Sequence, residues 1–229
     1  MGSPLETTFL RPFVAAARAR WLPLALPLTL ACGSGTPDIP EELLATEPTA
    51  SPSTYPPGPY LSEVGSTLEN FSFSGWRDPV AAGFDPSALE VIRMSDFYDP
   101  AGARGLELLL VNTAAIWCQA CRVEHRTLPE RRAELRARGF EVLSGLFQDA
   151  SADPADIQDL QTWVEQFEID FPMVLDPEFQ LGKYGSAEAA PINLLVDVRS
   201  MRIIERFVGD QEAVMWPLIE SELERRSAP

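Results

Sequence analysis

Between Asn70 and Phe73 polar and apolar residues alternate, the period of a half-buried strand, and Glu90 to Arg93 forms a second short candidate. Arg77 to Leu89, lying between them, carries proline, glycine and aspartate and reads as an inserted loop. Leu106 to Val111 is an apolar run broken only by Glu107, as expected for a central strand buried on both faces. A helix is expected from about Gln119 to Arg138, stopped by Gly139 in the position that often terminates helices. Phe140 to Phe147 predicts the next strand. Pro154 to Phe167 predicts an amphipathic helix with Pro154 in its first turn. A short strand (Met173 to Leu175), strands at Ile192 to Val198 and Arg202 to Phe207, and a closing helix from Gln211 to Arg225 complete the pattern.

Strands alternating with helices imply an α/β domain with parallel crossovers and a central sheet covered on both faces. The last two strands are joined tightly around Arg199-Ser200, so that edge should be antiparallel. Before Leu61 the chain changes character. Arg11, Arg18 and Arg20 precede an apolar run of eleven residues, Trp21 to Ala31, too short to span a bilayer but suited to a signal peptide. The run ends Leu28-Thr29-Leu30-Ala31-Cys32, which resembles a bacterial lipoprotein lipobox, with Thr29 where leucine is usual. That resemblance makes Cys32 a lipidation site and the mature protein anchored without spanning; an ordinary cleaved signal is the competing reading. Residues 33–60 are rich in Pro, Ser, Thr, Gly and Glu and read as a disordered tether. Three parts follow: residues 1–32 a signal peptide, 33–60 a tether, and 61–229 the folded domain.

A domain of about 165 residues buries roughly 70% of its unfolded surface, enough for a core of its own. The net charge of −16, with Lys183 the single lysine, argues against nucleic acid as a partner, which needs a clustered basic face. Arg131, Arg132, Arg136 and Arg138 sit among acids on a predicted helix and read as a solvated face.

The chemistry concentrates at Trp117-Cys118-Gln119-Ala120-Cys121. A Cys-x-x-Cys pair can close a very small disulfide. With the first cysteine at a helix start, the helix field and free backbone amides stabilise its thiolate. Cys118 would attack a partner's disulfide and Cys121, one turn on, would resolve the mixed disulfide. Half of a zinc site is the competing reading. Zinc needs two more ligands, and the domain offers no other cysteine and one histidine, His125, which reads as a surface or packing residue. A purely structural bridge gains little from so short a loop.

The segment from Leu109 to Glu124 resembles the active-site region of TlpA/ResA-type thiol–disulfide oxidoreductases, extracytoplasmic members of the thioredoxin superfamily. Trp117 precedes the first cysteine, Asn112 stands where cytoplasmic thioredoxins carry a buried aspartate, and Glu124 lies where this family commonly places an acid near the pair. Ala120 replaces the usual proline before the second cysteine, and Thr113-Ala114 replaces an aromatic pair. Ala190-Pro191, followed by Ile192-Asn193-Leu194-Leu195-Val196-Asp197, resembles the family's cis-proline loop and strand, with Ala190 in place of the commoner threonine. The resemblance implies a thioredoxin fold with a central mixed sheet flanked by helices after an N-terminal extension. It implies catalysis by Cys118, Cys121 and Glu124, and substrate binding by Trp117, Ala190 and Pro191. Trp117 would shield the cysteines by packing, and the loop's backbone would pair with a substrate strand. It further implies a monomer in the cell envelope on the periplasmic side. That monomer would use no cofactor or metal beyond the cysteine pair and would reduce disulfides of exported proteins with electrons from a membrane donor. Two other functions stay open. A thiol peroxidase of the same fold would want a hydroxyl residue three before the reactive cysteine, where Ala115 stands. A metal-binding module of the Sco type would want a wider cysteine spacing and a distant histidine.

Overall fold

A computed structural model describes residues 54–185 and 189–227. The signal peptide, Cys32 and most of the expected tether lie outside them. The described residues belong to one compact unit, Thr49–Pro229. Its elements are β1 (Ser72–Trp76), β2 (Glu90–Arg93), β3 (Leu108–Ala115), α1 (Gln119–Arg136), β4 (Phe140–Gln148), α2 (Ile157–Gln166), β5 (Met173–Leu175), β6 (Ile192–Asp197), β7 (Arg202–Val208) and α3 (Glu212–Ser227). Among the described residues the strands form one sheet in the order β2-β1-β5-β4-β3-β6-β7.

All eight residues of β3 are buried, which explains the apolar run Leu108 to Val111 at its start. It pairs parallel with β4 on one side and antiparallel with β6 on the other. β4 and β5 are parallel, and β6 and β7 form the expected antiparallel edge. The sheet is therefore mixed, as expected. Successive β3 residues feed opposite cores. Leu108 and Leu110 join the cluster that receives Leu128 and Leu135 of α1, Leu160 and Trp163 of α2, and Ile219 and Leu223 of α3. Leu109 and Val111 join a second cluster with Leu68, Phe71, Phe73, Ile92, Met94, Leu181 and Tyr184. The second face is thus covered by the segment leading into β1 (Leu68, Phe71) and by the short 3-10 turns that carry Met94, Leu181 and Tyr184.

Several boundaries move for identifiable reasons. The Asn70 side chain accepts from the Ser95 amide, so that residue belongs to a turn and β1 begins at Ser72. The second helix starts at Ile157, not Pro154. Asp156 caps it by accepting from the Gln158 and Asp159 amides, while Asp159 returns a bond to the Asp156 amide. Gly139 follows the first helix with φ +89°, a conformation glycine adopts without strain. The folded part also begins before the expected boundary at Leu61. Tyr55 is half-buried, donates to the Leu68 carbonyl (2.8 Å) and packs edge-on against Tyr98. Beyond it, residues 65–68 lie along β7: the Gly65 and Leu68 amides donate to Ile203 and Met201, and the Ile203 amide donates to Ser66.

Gly75 in β1 marks a close backbone approach. A Cβ there would stand 2.2 Å from the Met173 carbonyl oxygen and 2.7 Å from the Val174 Cα. The β1–β5 pairing attaches the whole hairpin to the rest of the sheet. Gly75→Ala is therefore expected to cost about 1–3 kcal/mol in urea unfolding. Amide exchange in β1 and β2 should accelerate more than exchange in β3.

Candidate active site

β3 ends at Ala115, and the chain turns through Ile116 and Trp117 into α1. The Ile116 amide donates to the Gln148 carbonyl and the Cys118 amide to the Ala115 carbonyl. This turn places Cys118 at the N-cap of α1, where its sulfur accepts from the Cys121 amide at 3.1 Å. Cys118 and Cys121 are joined in a disulfide. Both are nearly inaccessible, Cys118 at 3% exposure and Cys121 at 0%. Trp117 beside them is 38% exposed, so it forms surface next to the pair and does not cover it. Its indole N–H donates to Gln148 Oε1 (3.0 Å), and its ring meets Phe147 edge-on.

The loop before β6 closes the other side. The Ala190–Pro191 bond is cis, and the Ala190 carbonyl oxygen lies 3.5 Å from the Cys118 sulfur. Two bonds fix the loop. The Ile192 amide donates to Thr113 Oγ1 at the end of β3, and the Gly209 amide beyond β7 donates to the Pro191 carbonyl. Cys118, Cys121, Trp117, Ala190 and Pro191 thus meet at one end of the sheet.

Glu124 lies below them and is 3% exposed, so it is no solvent-facing first-turn acid. Asn112 Nδ2 donates to its Oε2 and Asn193 Nδ2 to its Oε1, both at 2.7 Å. Asn112 Nδ2 also donates to Asn193 Oδ1, and Ser144 Oγ donates to Asn112 Oδ1. His125 is wholly buried, which corrects the surface alternative. Nδ1 lies 2.9 Å from the Cys121 carbonyl oxygen and Nε2 3.0 Å from Ser144 Oγ. Its ring packs among Trp163, Phe167 and Phe171. Ser144 and Asn193 carry no role in the sequence reading. Their signal is a polar residue in the middle of an otherwise apolar strand, since a group buried there must find a partner. Among the described residues no three His, Cys, Asp or Glu side chains are placed to hold a metal.

Burial lifts the Glu124 carboxyl to about 8, with Glu212 and Asp210 adding to the rise and the Asn193 and Asn112 amides opposing it. Burial lowers His125 to about 4, opposed by its bond to the Cys121 carbonyl. Between those limits the two groups hold one proton in total.

The strand order, the cysteine pair capping a helix and the facing cis-proline loop define a thioredoxin-fold protein of the thiol–disulfide oxidoreductase class. Residues 90–206 match the AhpC/TSA family, and the chain belongs to that family. Similar solved structures agree on the fold. A candidate DsbE-type thiol:disulfide interchange protein from Chlorobium tepidum superposes with a TM-score of 0.54 at 20% identity, covering 70% of this chain and 98% of its own. A thiol:disulfide interchange protein from Bacteroides sp. gives 0.52 at 17% identity, over 72% of this chain and 93% of its own. A secreted thiol-disulfide isomerase from Corynebacterium glutamicum gives 0.52 at 18%, over 69% and 86%.

The one-proton pair has a consequence for stability. The raised Glu124 favours folding below the ordinary carboxyl range and loses that contribution as pH rises to about 8. The lowered His125 adds stability as pH rises from about 4 to the ordinary histidine value near 6.5. The two slopes cancel up to about pH 6.5, leaving a net loss of roughly 2 kcal/mol from there to about pH 8. Urea unfolding at pH 6.5 and 8 should show this fall in the wild type, and Glu124→Gln should remove it.

Proposed function

We propose that the protein is an extracytoplasmic thiol–disulfide oxidoreductase that reduces disulfides of exported proteins. The observation that carries this reading is the Cys118–Cys121 disulfide capping α1, with the Cys118 sulfur facing the Ala190 carbonyl. In the reduced form the Cys118 thiolate, stabilised by the helix N-terminus and the Cys121 amide, attacks one sulfur of a substrate disulfide. That bond breaks, one substrate thiolate leaves, and Cys118 is joined to the substrate. Cys121 then gives its thiol proton to Glu124 and attacks the Cys118 sulfur. The second substrate thiolate leaves, and the protein is left with the disulfide observed. A membrane electron donor then returns two electrons, and the proton held on Glu124 goes back to Cys121, restoring the Cys118 thiolate and the Cys121 thiol.

The loop at Ala190-Pro191 supplies backbone for a substrate strand, and the exposed Trp117 face supplies an apolar contact beside it. A lipid at Cys32 would hold this monomer at the periplasmic side of the membrane. No helix among the described residues is long and apolar enough to cross a bilayer. The peroxidase alternative is disfavoured by the site. Ala115 has no hydroxyl to offer at that position, and the Thr113 oxygen accepts from the Ile192 amide of the cis-proline loop.

Cys121→Ser should accumulate mixed disulfides with exported proteins, resolved on non-reducing gels, while Cys118→Ser should neither trap partners nor reduce a disulfide substrate. Absence of both trapping and reduction would overturn the assignment. In cells, Cys32→Ala should move the protein from the membrane pellet to the soluble fraction and abolish incorporation of labelled fatty acid.

A further inference from the structure

Six contacts knit the buried polar cluster together, and each needs one hydrogen. Three take theirs from amides: Asn112 donates to Glu124 and to Asn193, and Asn193 donates to Glu124. The other three run in series, from the Cys121 carbonyl to His125 Nδ1, from His125 Nε2 to Ser144 Oγ, and from Ser144 Oγ to Asn112 Oδ1. Both ends of that series are oxygens that only accept. The Cys121 carbonyl must therefore receive a hydrogen from Nδ1, and Asn112 Oδ1 must receive the single hydrogen of Ser144. The middle contact then requires a hydrogen on Nε2 as well. A neutral imidazole carries one such hydrogen and an imidazolium two. At the other end, both oxygens of Glu124 already accept, the pattern of a carboxylate.

The one proton shared by Glu124 and His125 can thus complete every contact only from the histidine. On Glu124 it would leave Nε2 meeting the serine oxygen with no hydrogen between them. We propose that His125 is a positioning residue for thiol–disulfide exchange: by holding this proton and orienting Ser144 and Asn112, it keeps Glu124 in the carboxylate form that accepts the Cys121 proton. The inference rests on the redox reading above. Among the described residues no charged side chain faces the imidazole from the other packed elements, which present Ser144 from β4, Trp163 and Phe167 from α2 and its end, and Phe171. On its own helix, Arg122 lies over the Trp163 ring. Asp210 and Glu212, at the approach to α3, act on Glu124 and favour its protonated form. Burial does the same; the two hydrogens that Asn112 and Asn193 donate to Glu124 oppose both, and the Asn112–Asn193 and Ser144–Asn112 bonds hold those two amides in place.

The chain contains one histidine, so its ring nitrogens can be observed without ambiguity in the nitrogen-15 spectrum of the full protein. The expected result is an imidazolium at pH 6.5, whereas a neutral ring at that pH overturns the proposal. Kinetics give a second test that does not depend on the spectrum. Without the histidine's proton, Glu124 becomes a carboxylate only at higher pH, so the acid limb of the resolving step should move upward. In His125→Phe and in Ser144→Ala the resolution rate at pH 6 should fall about tenfold, and in a Glu124→Gln background neither change should have a further effect. An unchanged pH profile in both variants overturns the role of His125. Mixed-disulfide formation by Cys121→Ser needs neither group, so its loss would instead indicate that the redox reading itself fails.

Discussion

The side-chain amide of Asn112 sits in the middle of the most buried strand, and the surroundings of the disulfide are organised around satisfying it. A buried polar group without a partner costs about 1–3 kcal/mol. Asn112 finds Glu124 on α1, Asn193 on β6 and Ser144 on β4. Those bonds fix α1 against three adjacent strands at the level of the cysteines. Position and chemistry are therefore set together, because the helix that presents Cys118 cannot shift without breaking the amide's partners.

The same constraint gives the acid its properties. Glu124 is held by two amides on strands flanking its own helix and lies among apolar residues, so it differs from an ordinary first-turn glutamate in charge behaviour as well as position. Low dielectric strengthens the bonds and penalises the charge at once. A histidine inside that network then becomes significant through the hydrogen it can contribute, although it touches neither sulfur atom by its side chain.

Much of the architecture was legible in the chain. The apolar run of β3, the alternation in β1 and the tight turn at Arg199-Ser200 each dictate a local structure with few alternatives. The cysteine pair and the proline loop announced the site because their residue types and order carry the chemistry. What escaped was non-local. Ser144 and Asn193 look unremarkable until parallel and antiparallel pairing set them beside Asn112 across β4, β3 and β6. His125 could not be placed from its neighbour Glu124, since one helical step of about 100° separates two faces that here are both buried. Tyr55 lies in a proline-rich stretch, and only the pocket beside Leu68 and Tyr98 makes it part of the fold.

The strip of chain at residues 65–68 that lies along β7 has one more effect. It occupies hydrogen-bonding positions on what would otherwise be an open margin of the sheet. At the opposite margin β2 is only four residues long and bears Glu90 and Arg93, with Glu90 paired to Arg77. Short, charged or covered margins discourage stacking of one molecule's sheet onto another's. Both margins are thereby kept from pairing with other chains, and the backbone beside the sulfurs lies away from them, in the loop at Ala190-Pro191.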